Sequence, residues 1–147
     1  MRIRRLVAAA AVPLLLASVG CADKDKEEEE GEKAAGQSCD GLLKPDDPSA
    51  HLPSTIPAGL TGATFYEVQT QGATKRYFAY TAGTDLVKTR DDIKAAFEAA
   101  KIEIEGTDQE EGAEAEFEFK AGAEEGSVQV IPLCQGNLRV RYRVGPK

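Results

Sequence analysis

At 147 residues, 41% of them apolar and only 6% aromatic, the chain has room for one small domain and excludes a multidomain enzyme. Eighteen Lys and Arg stand against 25 Asp and Glu, a formal net charge of -7. A balance that acidic excludes nucleic acid as a partner, because phosphates call for a basic footprint.

The first segment reads as an export signal. Residues 1–5 carry Arg2, Arg4 and Arg5, residues 6–16 hold no charge, and Ala17-Ser18-Val19-Gly20 brings small residues up to Cys21. A charged start, a short apolar run and small residues make a secretory signal peptide. The apolar run falls short of the ~20 residues that cross a membrane. With a cysteine directly after Gly20, the segment resembles bacterial lipoprotein precursors: Val19 and Gly20 match that pattern, while Ser18 stands where leucine is usual. The resemblance implies signal removal after residue 20 and lipidation of the Cys21 thiol by a diacylglyceryl group, with palmitate-type chains. The protein would then be anchored to the cell membrane by lipid, on its extracytoplasmic side. Two acyl chains anchor stably where one does so only marginally. Arg4-Arg5 raises twin-arginine export, but the Leu6-Val7-Ala8 that follows suits Sec export better.

Residues 21–38 then read as the lipidated cysteine and an acidic tether. The stretch 22–38, ADKDKEEEEGEKAAGQS, has no aliphatic residue larger than alanine, so it is expected to stay disordered. Glu27–Glu30 are expected to be a solvated spacer rather than a metal tract. A single domain is expected over 39–147.

Two cysteines remain once Cys21 is assigned, and in an oxidising compartment they are expected to pair as Cys39–Cys134. A loop of that length is worth about 4–5 kcal/mol in the chain-entropy account. No Cys-x-x-Cys spacing supports a redox or metal role.

Within the domain, Pro45, Pro48, Pro53 and Pro57 make residues 40–60 an extended lead-in. It carries His51, the sole histidine, read as a surface residue. Residues 63–70 and 75–82, rich in Phe, Tyr, Val and Thr around Gly72, predict a hairpin. Residues 89–101 predict a helix, with Thr89 and Asp92 as its capping pattern and Ile93, Ala96, Phe97 and Ala100 as its apolar stripe. Period-two alternation follows through Ile102 and Ile104, through Ala113 to Lys120, through Val128 and Val130, and through Leu138 to Val144. Alternation of this kind belongs to an antiparallel sheet with one wet face. The expected fold is α+β: a small antiparallel sheet of five to six strands with one amphipathic helix on one face.

Chemistry-bearing motifs are few. The sequence holds no P-loop, dinucleotide fingerprint, H-E-x-x-H or G-x-S-x-G. One histidine and a committed cysteine pair leave no zinc set, and no metal or cofactor is expected. Asp108–Gly112 fails the calcium-loop spacing and reads as a solvated loop. Arg139, Arg141 and Arg143 form the basic cluster. They suit carboxylate or phosphate, but cross-strand pairing with Glu114, Glu116 and Glu118 is the expectation.

The Ala/Gly/Glu/Arg-rich composition, the Thr89-Arg90-Asp91-Asp92-Ile93 segment, the Ala113-Glu114-Ala115-Glu116-Phe117 strand and Val130-Ile131-Pro132-Leu133-Cys134 carry one more resemblance. The exported portion is similar to the small single-domain lipoproteins of actinobacteria such as streptomycetes. That resemblance transfers no activity and no functional residue. The expected function is a non-catalytic binding or adaptor module, monomeric, tethered to the membrane and facing an envelope protein or small ligand. An inhibitor or immunity protein for an envelope enzyme, and then a carboxylate-dependent hydrolase, are the alternatives. The candidate contact surface is the first hairpin. With Thr70 facing Lys75, Val68 opposes Tyr77 on one side and Phe65 opposes Tyr80 beside Phe78 on the other. One helix can cover only one of these faces, so either Tyr66, Val68 and Tyr77 or Phe65, Phe78 and Tyr80 would meet solvent. An odd-length turn would instead bury Tyr66, Val68, Phe78 and Tyr80 together and leave Phe65 and Tyr77 outside; the even register is the expectation.

Overall fold

The computed structural model describes residues 24–147, with side chains from residue 30 onward. The expected signal segment and Cys21 lie outside the described residues. The fold is α+β: a six-stranded antiparallel sheet with two helices packed against it. The strands are β1 (Thr64–Gln71), β2 (Thr74–Ala82), β3 (Glu103–Glu110), β4 (Glu114–Ala121), β5 (Glu124–Cys134) and β6 (Asn137–Pro146). Their order across the sheet is β1-β2-β6-β5-β4-β3. β3 to β6 form a meander of tight turns, and β6 closes it onto the first hairpin by pairing with β2. Helix α2 (Leu86–Ala99) crosses the sheet from β2 to β3.

Alternation along the strands sends one set of side chains under α2. Phe97 meets Phe117 edge-on at 5.1 Å and Phe119 at 4.9 Å. Ile93, Val128, Val130, Val140 and Tyr142 are fully buried around them. The lead-in completes the cover: Ala50 and Ile56 are buried with the core, and the Tyr142 hydroxyl donates to the Ala58 carbonyl. Arg90 is buried on the same helix, donating to the Asp108 carbonyl at 3.2 Å and pairing with Asp91 at 2.9 Å, so it ties α2 to β3.

Several sequence expectations need correction. The helix begins three residues before Thr89. Asp85 caps it, accepting from the Lys88 amide at 2.8 Å, and Thr89 instead donates its hydroxyl to the Asp85 carbonyl. Its buried positions are accordingly Leu86, Arg90, Ile93 and Phe97, while Ala100 is exposed. Asp108–Glu110 belong to β3, and only the turn at Gly112 is loop.

The acidic tether also differs. Lys24–Gly36 form a helix, α1, within the stretch expected to be coil. Glu, Lys and Ala are strong helix formers, and the sheet end supplies the packing that propensity alone lacks. Gly31 makes the contact: a Cβ there would sit 2.5 Å from the Gly112 carbonyl oxygen, so only glycine lets the helix approach this closely. Gln37 then donates to the Leu133 carbonyl at 2.8 Å, and the Gln135 amide donates back to the Gln37 carbonyl at 2.9 Å. The Cys39–Cys134 disulfide locks the same junction, with Cα atoms 5.1 Å apart.

Candidate functional site

The first hairpin decides what the uncovered sheet face presents. Thr70 pairs with Lys75 and Val68 with Tyr77, the even register expected from the sequence. A bulge between Phe65 and Glu67 then adds one residue, so Phe65 pairs with Ala79 rather than Tyr80. A bulge reverses side-chain parity beyond it. Phe65 therefore joins Val68 and Tyr77 on the core side. Phe65 and Tyr77 are buried and Val68 packs against the core, which removes these three from the candidate contact surface. Tyr66, Phe78 and Tyr80 take the opposite face, with Tyr66 centred 6.3 Å from the Phe78 ring and 5.9 Å from Tyr80. All three rings are half-buried. The exposed aromatic set thus mixes members of the two sets the sequence offered.

The register extends this cluster across the sheet in rows. Tyr80 stands opposite Arg139, Phe78 opposite Arg141, and Arg76 opposite Arg143. On the far side of β6, Arg141 faces Gln129 and Arg143 faces Ser127; beyond those, on β4, come Glu116 and Glu118. The expected direct pairing of arginine and glutamate rows is therefore absent, because β5 lies between them. Two strand spacings, about 10 Å, separate the rows. Among the described residues none of Arg76, Arg139, Arg141 and Arg143 takes part in an ion pair. Glu114 instead accepts from the Gln129 amide.

The electrostatics follow from this separation. Burial lowers the Arg141 pKa, and Arg76 and Arg139 push the same way, while Glu116 and Glu114 act against them. On the acidic side, burial raises the Glu116 pKa above its ordinary value; Glu114, Glu118 and Asp108 add to the rise and Arg141 opposes it. Burial likewise raises the Tyr66 pKa, with Arg139 as the chief opposing influence.

The lead-in and α1 border the patch. Lys44 lies 5.2 Å from the centre of the Tyr66 ring and pairs with Glu67 at 2.8 Å, while its carbonyl accepts from the Tyr80 hydroxyl at 3.0 Å. Glu67, held by Lys44, has its pKa lowered. At the other border Glu30, Gly31 and Ala34 of α1 line a cleft with Ile131, Pro132 and Arg139. His51 is exposed, 3.6 Å from Asp46 and with its ring tilted against Phe65 at 5.6 Å, on the core side and away from the patch. Among the described residues no group of three or more His, Cys, Asp or Glu is placed to hold a metal ion, and no helix is long and apolar enough to cross a membrane.

Sequence reasoning missed two members of the patch. Arg76 stands at the same alternate spacing as Phe78 and Tyr80, so the hairpin pattern could have supplied it. Lys44 arrives from a loop and has no local signal. The chain matches no protein-family model, and no curated protein matches its sequence.

Proposed function

We propose that the chain is a lipoprotein tethered through Cys21 to the extracytoplasmic face of the cell membrane, where it acts as a non-catalytic binding or adaptor module. Its contact surface is the patch formed by Tyr66, Phe78 and Tyr80 with Arg139 and Arg141. The observation that carries this reading is the half-exposed aromatic trio beside arginines that no carboxylate pairs. Tyrosine and arginine dominate contact energies because they combine large area with directed hydrogen bonds. The signal segment, the lipobox-like Val19-Gly20-Cys21 and the disulfide all suit an exported protein.

The acids of β4 fit the same reading. Glu114, Glu116 and Glu118 are alternate residues of one strand, Glu114 and Glu116 half-buried and Glu118 exposed, a placement suited to solvent or protein contact. The test is crosslinked capture from intact cells, comparing the native chain with a Tyr66→Ser/Phe78→Ser/Tyr80→Ser variant. Loss of a partner with an unchanged melting curve supports the reading, and equal recovery contradicts it. Cys21→Ala should move the protein out of the membrane fraction.

A further inference from the structure

We infer that the arginine–aromatic half of the open face takes an extended acidic segment of a partner protein, one with carboxylates at every second residue and an apolar side chain on the same side. This rests on the binding-module reading and names the chemistry of its partner.

The arginines are gathered in a way that the fold itself does not reward. Arg76 and Arg143 stand directly opposite each other on neighbouring strands, a like-charge placement that destabilises a sheet. Arg139 and Arg141 continue the row along β6, and none of the four has a carboxylate partner among the described residues. No acid among the described residues closes on them: Glu118 and Glu125 share a pocket with Arg143, Glu67 on β1 acts on Arg139 while held by Lys44, and Glu114 is engaged by Gln129. Glu30 of α1 shares a cleft with Arg139 but forms no ion pair with it. A ligand that supplies negative charge removes this repulsion, and guanidinium groups bind carboxylates with paired, directed hydrogen bonds.

The spacing selects the form of that ligand. Arg139, Arg141 and Arg143 are alternate residues of one strand, so their stems recur every ~6.5–7 Å. An extended peptide presents alternate side chains with the same repeat. The neighbouring strand contributes rings, Tyr80 beside Arg139 and Phe78 beside Arg141, with the Tyr66 ring tilted against both. A partner with both carboxylates and an apolar side chain uses both halves of the patch. A phosphate polymer would leave the rings unused, and the net charge of -7 opposes any polyanion at long range, so the rings are what favour the peptide.

The experiment measures anisotropy of a capped, labelled peptide, Phe-Ser-Glu-Ser-Glu-Ser-Glu, titrated with the purified full chain. The expected result is saturable binding at low salt that weakens steadily as salt rises. Arg139→Glu/Arg141→Glu should cut affinity at least tenfold, Arg141→Gln less, and replacing the peptide's glutamates by glutamine should match the double variant. Phe78→Ser should weaken the Phe peptide severalfold and leave a Ser-for-Phe peptide unchanged. Absence of saturable binding, indifference to the arginine substitutions, or tighter binding of linear polyphosphate independent of Phe78 would each overturn the inference. If the peptide fails while partner capture still depends on the aromatic trio, the binding-module reading stands and the acidic-segment inference falls. If capture is also indifferent to the trio, both fall.

Discussion

Arg76 and Arg143 face each other across the β2–β6 pairing, and neither meets a carboxylate in an ion pair among the described residues. Two cations placed in this way lower the stability of the strands that carry them. Arg76→Glu turns the repulsion into attraction. The expected outcome is a gain of about 0.2–1 kcal/mol, seen as a higher melting temperature that shrinks as salt is added. The same substitution should weaken acidic-peptide binding, the usual conflict between stability and a functional surface.

The acidic row offers the complementary test. Burial raises the Glu116 pKa, and Glu114, Glu118 and Asp108 reinforce it against Arg141. A carboxyl whose folded pKa lies above its unfolded one opposes folding when ionised. That penalty is complete above the folded pKa and fades as pH falls through it to below the unfolded value. Glu116→Gln should therefore raise the melting temperature at pH 7 and have little effect at pH 3. An equal shift at both pH values would remove the electrostatic explanation.

The disulfide joins positions 95 residues apart, so it constrains nearly the whole domain in the unfolded state. Cys39→Ser/Cys134→Ser should cost about 4–5 kcal/mol in the chain-entropy account. Urea unfolding with and without reductant measures it. The reduced native chain should unfold at the same midpoint as the double variant.

Gly126 lies on β5 where the ring of Phe119 leans over the backbone. A Cβ at this position would come 1.8 Å from the Arg143 carbonyl oxygen and 3.0 Å from the Phe119 ring. Strand β6 would have to shift, disturbing the strand that carries the arginine row. Gly126→Ala is expected to destabilise by about 1–3 kcal/mol or more, whereas Gly122→Ala, with nothing within 4 Å, should cost only its backbone strain. Thermal melts of the two variants separate packing from conformation.

Much of the architecture is legible in the residues because period two and period 3.6 leave different marks. The alternation of Ala113 to Lys120 and Leu138 to Val144 places β4 and β6, and the two cysteines within residues 39–147 leave Cys39–Cys134 as the one pairing inside that stretch. Three features escape for identifiable reasons. Phe65 and Tyr66 are adjacent aromatics, so alternation cannot say which faces the core, and the bulge that decides is a property of the paired strands. Thr89 and Asp85 are both capping residues, and Asp85 prevails because Leu86 must reach the core. Strand order is non-local: the insertion of β5 between the Glu and Arg rows follows from β6 pairing with both β2 and β5. The docking of α1 depends on the close approach of Gly31 to Gly112 and on the Gln37 hydrogen bonds beside it, which composition cannot reveal.

The most direct measurement of the central claim is site-specific photo-crosslinking in intact cells. A photoreactive residue replaces Tyr80 on the open face or, as the control, Lys88 on the exposed surface of α2. The expected result is a discrete crosslinked partner from position 80 in the membrane fraction and none from position 88. A partner captured from position 88 alone, or equally from both, would contradict it.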